Sequence, residues 1–234
     1  LEQAQAWAVR DEDKALLAAS IKATQGLMAE KGFTPMFDGV SLKNWKGGGG
    51  WWEVKDGILQ AQSSEEKPCK KNSQLIWTGG QPADFEMRAE FKLSPSANSG
   101  IQLRALDQEF GDSGYQADMN GGGNYVGFLY HPKQHLVGER GAKVTIAADG
   151  KKSVDRFADA KELGDKVFKK DDWNEYTIIA KGPTMTLFVN GMKTCELTDH
   201  RPELMPKRGF ITLQMHAGPP MKIQYRNMRI KDLK

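Results

Sequence analysis

Four segments of the chain carry, at every second position, side chains able to move protons or to hydrogen-bond a polar ligand. Glu86, Arg88 and Glu90 alternate with apolar residues in DFEMRAEFKL, residues 84–93. Gln102 and Arg104 alternate with Ile101 and Leu103, and Gln116 and Asp118 with Tyr115, Ala117 and Met119. Thr212, Gln214 and His216 alternate with Ile211, Leu213 and Met215. A period of two is that of a β-strand, whose successive side chains point to opposite faces. If these strands share a sheet, one face gathers carboxylates, carboxamides, a guanidinium and an imidazole. Such a set presents donors and acceptors in fixed directions, as a polyhydroxylated ligand requires. Trp51, Trp52, Tyr125, Tyr130 and Trp173 are available to stack on a sugar ring. Any antiparallel sheet with one solvated face alternates in the same way without binding anything. The pattern leaves both readings open, and Arg, Gln, Asp and His in place of Lys, Thr and Glu favour a ligand.

The intervening loops narrow the chemistry. Gly111, Gly114 and the run Gly121–Gly123 let backbone approach a ligand closely, or simply form a hairpin tip. Neither that run nor Gly47–Gly50 is followed by GK[ST], so neither reads as a phosphate cradle. The chain has no GxSxG elbow and no HExxH. His131 and His135 stand four apart but around Pro132, which argues against a helical zinc pair. No EF-hand-type loop is present, and a divalent metal held by loop carboxylates stays open.

The elements that must position these residues are short β runs. Asp56-Gly57 sits between two strand-like segments in WWEVKDGILQAQ, and Asn190-Gly191 within residues 184–197, both tight-hairpin signals. Further strands are expected over residues 73–78, 84–93, 99–105, 114–119, 173–181, 210–216 and 221–230. With no helix expected between them, the fold class is all-β, a sandwich or barrel, over residues 32–234. Residues 1–31, rich in Ala, Glu, Gln and Lys, read instead as an N-terminal helical extension. The net charge of +3, from 33 Lys and Arg against 30 Asp and Glu, argues against nucleic acid as the partner. No segment reaches the length of a membrane span. Cys69 and Cys195 fit either one disulfide or two buried thiols. The chain opens on Leu1 rather than Met, and removal of an upstream segment from an extracytoplasmic protein is the expectation.

Ordered motifs add a family resemblance. FTPMFDGVSLKNW, WWEVKDGIL, DFEMRAEFKLSPSANSGIQLR, WNEYTIIAKGPTMTLFVNG and LQMHAGPPMKIQYRNMRIKDL follow one another from Phe33 to Leu233. In that order they resemble the 3-keto-disaccharide hydrolase family. The resemblance implies a concanavalin A-like jelly roll of two antiparallel sheets and cleavage of glycosides oxidised to a ketone at sugar C3. That ketone acidifies the C2 hydrogen, so a general base near C2, a cation or metal near the C3 oxygen and an acid near the glycosidic oxygen would suffice. On this resemblance Asp118 or His216 is the base. Arg104 stabilises the enolate or binds hydroxyls, and Glu90 is the acid or orients Arg104. From the polar face and its aromatics, Gln102, Gln116, Gln214, Tyr130 and Trp173 are expected to contact substrate. Many relatives have an acidic residue and then Gln where GYQADM places Gln116 and Asp118, which leaves the assignment of the base open. A non-catalytic carbohydrate-binding module on the same fold and a conventional glycosidase are the alternatives.

Overall fold

The computed structural model describes residues 30–106 and 113–234. The helical extension expected over residues 1–31 falls almost wholly outside the described residues. In chain order the strands are β1 (Thr34–Pro35), β2 (Trp45–Gly47), β3 (Trp52–Lys55), β4 (Ile58–Gln62), β5 (Ser73–Trp77), β6 (Phe85–Leu93), β7 (Asn98–Ala105), β8 (Tyr115–Asn120) and β9 (Leu129–His131). They continue as β10 (His135–Gly138), β11 (Ala142–Ile146), β12 (Lys152–Arg156), β13 (Asn174–Lys181), β14 (Thr184–Val189), β15 (Met192–Asp199), β16 (Phe210–Met215) and β17 (Lys222–Asp232). Ten form one sheet in the order β12-β11-β15-β14-β13-β6-β17-β4-β3, with β1 also on β17. Seven form the second, in the order β10-β9-β8-β7-β16-β5-β2. The result is an all-β, two-sheet sandwich consistent with a jelly roll. One pairing departs from the antiparallel expectation, β11 running parallel to β15.

Alternation explains the layers. Phe85, Met87, Ala89 and Phe91 of β6 are fully buried against Ile101, Leu103, Tyr115, Ala117, Leu213 and Met215 of the second sheet in one core. Each large side chain buried there contributes about 1.5–3 kcal/mol. The two hairpins form at the expected dipeptides: Asp56 and Gly57 have φ 52° and 75°, Asn190 and Gly191 φ 49° and 79°. These left-handed values at both central positions match the right-handed twist of the flanking strands. Cys69 and Cys195 are free, buried thiols.

A helix the sequence reading lacks, α1 (Ala160–Val167), lies between β12 and β13. Asp159 caps it, its carboxylate accepting from the backbone N–H groups of Lys161 and Glu162. Eight residues with a glycine at 164 are too few for a clear helical period, and the cap was its best signal.

Candidate active site on the second sheet

Register brings the polar positions of five strands into one patch. Gln214 pairs with Gln74, Thr212 with Gln102, Gln102 with Gln116, Asp118 with Gly100, and Gln116 with Tyr130. These residues share the face of the second sheet that points away from the core. Above it lies a cavity of about 370 Å³ lined by Asn72, Asn98, Gln116, Asp118, Tyr125, Tyr130, His135, Leu136, Gln214 and His216. That volume falls within the roughly 300–1,000 Å³ of small-molecule sites. No Arg or Lys is among these lining residues.

Gln116 is the hub. Its Nε2 lies 3.3 Å from Asp118 Oδ1 and 3.4 Å from Gln214 Oε1. It lies across Gly100, where a Cβ would stand 2.3 Å from the carboxamide carbon. Only a glycine at 100 leaves that path open. Asp118 is 8% exposed. Its Oδ1 also accepts from Met119 N at 3.0 Å, whereas Oδ2 has no hydrogen bond from any described residue. Burial without a cationic partner pushes the carboxyl up to about 7, despite the two hydrogen bonds that favour the charged form.

His216 stands at the end of β16. Its Nδ1 is 2.6 Å from the Ala217 carbonyl oxygen, so Nδ1 donates and Nε2 is left for a ligand. Asn72 Oδ1 accepts from Ala217 N at 2.8 Å and anchors that turn, leaving the Asn72 N–H₂ group without a partner among the described residues. Gln214 likewise spends its oxygen on Gln116 and keeps its N–H₂ group. The arrangement can present carboxamide donors to a ligand oxygen beside one proton-accepting carboxyl and one imidazole.

Of the expected site residues, Asp118, His216, Gln116, Gln214 and Tyr130 meet at this cavity. Gln102 shares their face but is buried, its Nε2 donating to Ser113 O at 2.6 Å. Arg104 does not join them. A bulge in the β7–β16 pairing and a left-handed φ of 53° break the alternation there. The side chain is 0% exposed. Its guanidinium donates to the carbonyls of Ala83 and Gly182 at 2.8 Å and of Pro206 at 3.3 Å, and meets Asp84 at 3.1 Å. It is a structural clamp between loops. Glu90 belongs to β6 of the other sheet, on the sandwich's opposite outer face, where it bonds Arg226 and Asn227. Trp173, before β13 of that same sheet, lies 4.0 Å beneath the Arg226 guanidinium. Alternation could not reveal which sheet a strand joins.

Asn72, Asn98, His135 and Leu136 are additions. Asn72 and Asn98 continue the alternate rows of Gln74 and Gly100 beyond where strands were expected. His135 reaches the cavity at a left-handed φ of 59°, while His131 is buried edge-on against Tyr115, with ring centroids 4.9 Å apart. The two histidines therefore serve different faces and make no metal pair. Among the described residues no group of three or more His, Cys, Asp or Glu is placed to hold a metal ion.

A carboxamide-lined cavity with a carboxyl and an imidazole, on the face of a two-sheet sandwich, suits a polyhydroxylated ligand. A family model described as the 3-keto-alpha-glucoside-1,2-lyase-like domain matches residues 32–231, and the chain belongs to that family. Its activity is hydrolytic or lytic cleavage of 3-keto-glycosides. No curated protein matches the chain. Among solved structures, a protein from Parabacteroides distasonis ATCC 8503 provisionally described as a glycosyl hydrolase is 21% identical, with a TM-score of 0.59 over 86% of this chain and 99% of that one. A second such protein from the same organism is 17% identical, with a TM-score of 0.58 over 90% and 97%. A protein from Bacillus subtilis described as having a galectin-like fold is 14% identical, with a TM-score of 0.54 over 86% and 94%. These likenesses concern the fold. Among the described residues no helix is long and apolar enough to cross a membrane.

Proposed function

We propose that the second-sheet cavity is the catalytic site and that Asp118 starts the reaction by taking the proton from C2 of a bound 3-keto-glycoside. The C–H electron pair becomes the C2–C3 double bond of an enolate, and the negative charge moves to the C3 oxygen. The carboxamide N–H groups of Gln214, Asn72 and Asn98, which line the cavity, hydrogen-bond that oxygen, supplying the oxyanion stabilisation that Arg104 is too far buried to give. Collapse of the enolate restores the C3 ketone, forms a C1–C2 double bond and breaks the bond from C1 to the glycosidic oxygen. His216, its ring oriented by the Nδ1–H bond to the Ala217 carbonyl, gives a proton from Nε2 to the departing oxygen. Addition of water across C1–C2 completes net hydrolysis, and release before that step gives the lyase outcome. Tyr125 and Tyr130 offer faces for the sugar ring. The sandwich itself is concanavalin A-like in this reading, which the galectin-like relative supports.

The observation that carries the reading is the Asp118 carboxyl, buried, without a cationic partner among the described residues and lining the cavity. A carboxyl with a pKa of about 7 is matched to proton abstraction at neutral pH. Incubating the protein with methyl 3-keto-α-glucoside and with its unoxidised parent, and following both by NMR, tests it. Cleavage of the ketone alone is expected. Equal cleavage of the parent would point to a conventional glycosidase, and binding of both with cleavage of neither to a binding module.

A further inference from the structure

On the far side of the loop between β8 and β9, Arg140 holds a buried positive charge with no ion-pair partner among the described residues. The residue is 6% exposed. Its Nε donates to Ala160 O at 2.6 Å, and Nη1 to Gly123 O at 2.9 Å and Val126 O at 2.7 Å. One face packs on the Phe128 ring, 4.9 Å from its centroid. The other lies on Gly164 of α1, where a Cβ would stand 2.3 Å from both Cζ and Nη2. A glycine inside a helix costs about 1 kcal/mol relative to alanine, and here it makes room for the guanidinium. Nη2 donates to no described residue. Among the described residues no carboxylate comes within ion-pair distance, and Asp165 and Asp159 act only at longer range. Arginine does not shed its proton on burial, so its charge needs a partner.

The guanidinium forms part of the wall of a separate cavity of about 260 Å³, which Gly122, Asn124, Lys161, Asp165 and Lys170 also line. Lys161 and Asp165 neutralise each other through a 2.6 Å ion pair. Arg140 and Lys170 are then two cations beside one small space whose described lining carboxylate, Asp165, is paired to Lys161 and acts on them only at longer range. We propose that this cavity binds a small oxyanion group, a carboxylate, sulfate or phosphate, paired with Nη2 of Arg140 and the Lys170 ammonium. The inference rests on this cavity alone and stands whether or not Asp118 is the catalytic base.

Titration of ¹⁵N-labelled protein with sodium sulfate, sodium phosphate and sodium glucuronate, against sodium chloride at matched ionic strength, tests it. Saturable shifts of the Gly122, Gly123 and Gly164 amides, with a dissociation constant of about 1 mM, are expected for at least one probe. Saturation by the inorganic ions alone identifies a free anion as the occupant, and saturation by glucuronate identifies an acidic sugar. Arg140→Gln would also cut three carbonyl bonds, so Lys170→Glu is the discriminating variant: it keeps the clamp and reverses the free charge. It is expected to weaken binding by tenfold or more, with an unchanged spectrum outside the cavity. Shifts no larger than those with chloride, or equal binding by Lys170→Glu, would overturn the proposal.

Discussion

Replacing Asp118 with asparagine removes an ionisable group whose charge the fold opposes. Its carboxyl rises from 3.8 to about 7 on burial, a difference equivalent to about 4 kcal/mol between the two protonation states. The folded state binds the proton more tightly than the unfolded chain. The stability that Asp118 contributes is therefore intact below about pH 4, falls as pH rises through about 7, and is lowest above that. Asparagine resembles the neutral carboxyl and does not titrate. Leaving its N–H₂ imperfectly bonded costs about 1 kcal/mol, so a net gain of about 3 kcal/mol is expected in alkaline solution. For a protein of this length that is about 6–12 °C in Tm. Thermal unfolding of wild type and Asp118→Asn from about pH 4 to about pH 9 should show the variant slightly less stable at the acid end, and a relative stability that rises with pH from about 4, turns in its favour, and levels off above about 7. A relative stability of the variant that is independent of pH, or that falls as pH rises, would refute the burial argument and the pKa drawn from it.

The same carboxyl sets the acid limb of the rate profile: kcat/KM should rise with pH through about 7, the range in which Asp118 ionises. Gly100→Ala places a methyl group in the path of the Gln116 carboxamide. It should lower kcat/KM by about tenfold to a hundredfold while thermal unfolding shows a folded protein; unchanged kinetics would remove Gln116 from the site. Arg104→Met leaves the Ala83, Gly182 and Pro206 carbonyls unpaired and should cost about 3 kcal/mol or more in denaturant unfolding, with kcat/KM per folded molecule nearly unchanged. Glu90→Gln, altered on the opposite outer face, should keep kcat/KM within about twofold; a collapse in kinetic assays would return Glu90 to the chemistry.

Strands with a strict period of two were readable because one face had to be apolar: β6 buries Phe85, Met87, Ala89 and Phe91 and turns Glu86, Arg88 and Glu90 outward. The same regularity misplaced Glu90, because alternation assigns a face without saying which sheet owns it. Arg104 was misread for a different reason. One left-handed residue in a bulge turns its side chain away from the row that Gln102 begins. Segments that lack alternation also escaped notice. β12 is exposed along its length, and β9 and β10 are only three and four residues long. The half of the site that was legible, Gln116, Asp118, Gln214 and His216, lies on β8 and at β16 where the alternation is regular. Asn72 and Asn98, at the strand margins, became visible only through register.

The central claim is that Asp118 removes the C2 proton and His216 serves the leaving group. The most direct measurement is ¹H NMR of methyl 3-keto-α-glucoside in D₂O with wild type, Asp118→Asn and His216→Gln, against a sample without protein. Wild type should cleave the substrate. His216→Gln should wash deuterium into C2 of substrate that remains uncleaved. Asp118→Asn should do neither above the background, with kcat/KM down by about 10²–10⁴. C2 exchange and cleavage at the wild-type rate by Asp118→Asn, or loss of exchange in His216→Gln with exchange intact in Asp118→Asn, would contradict the account.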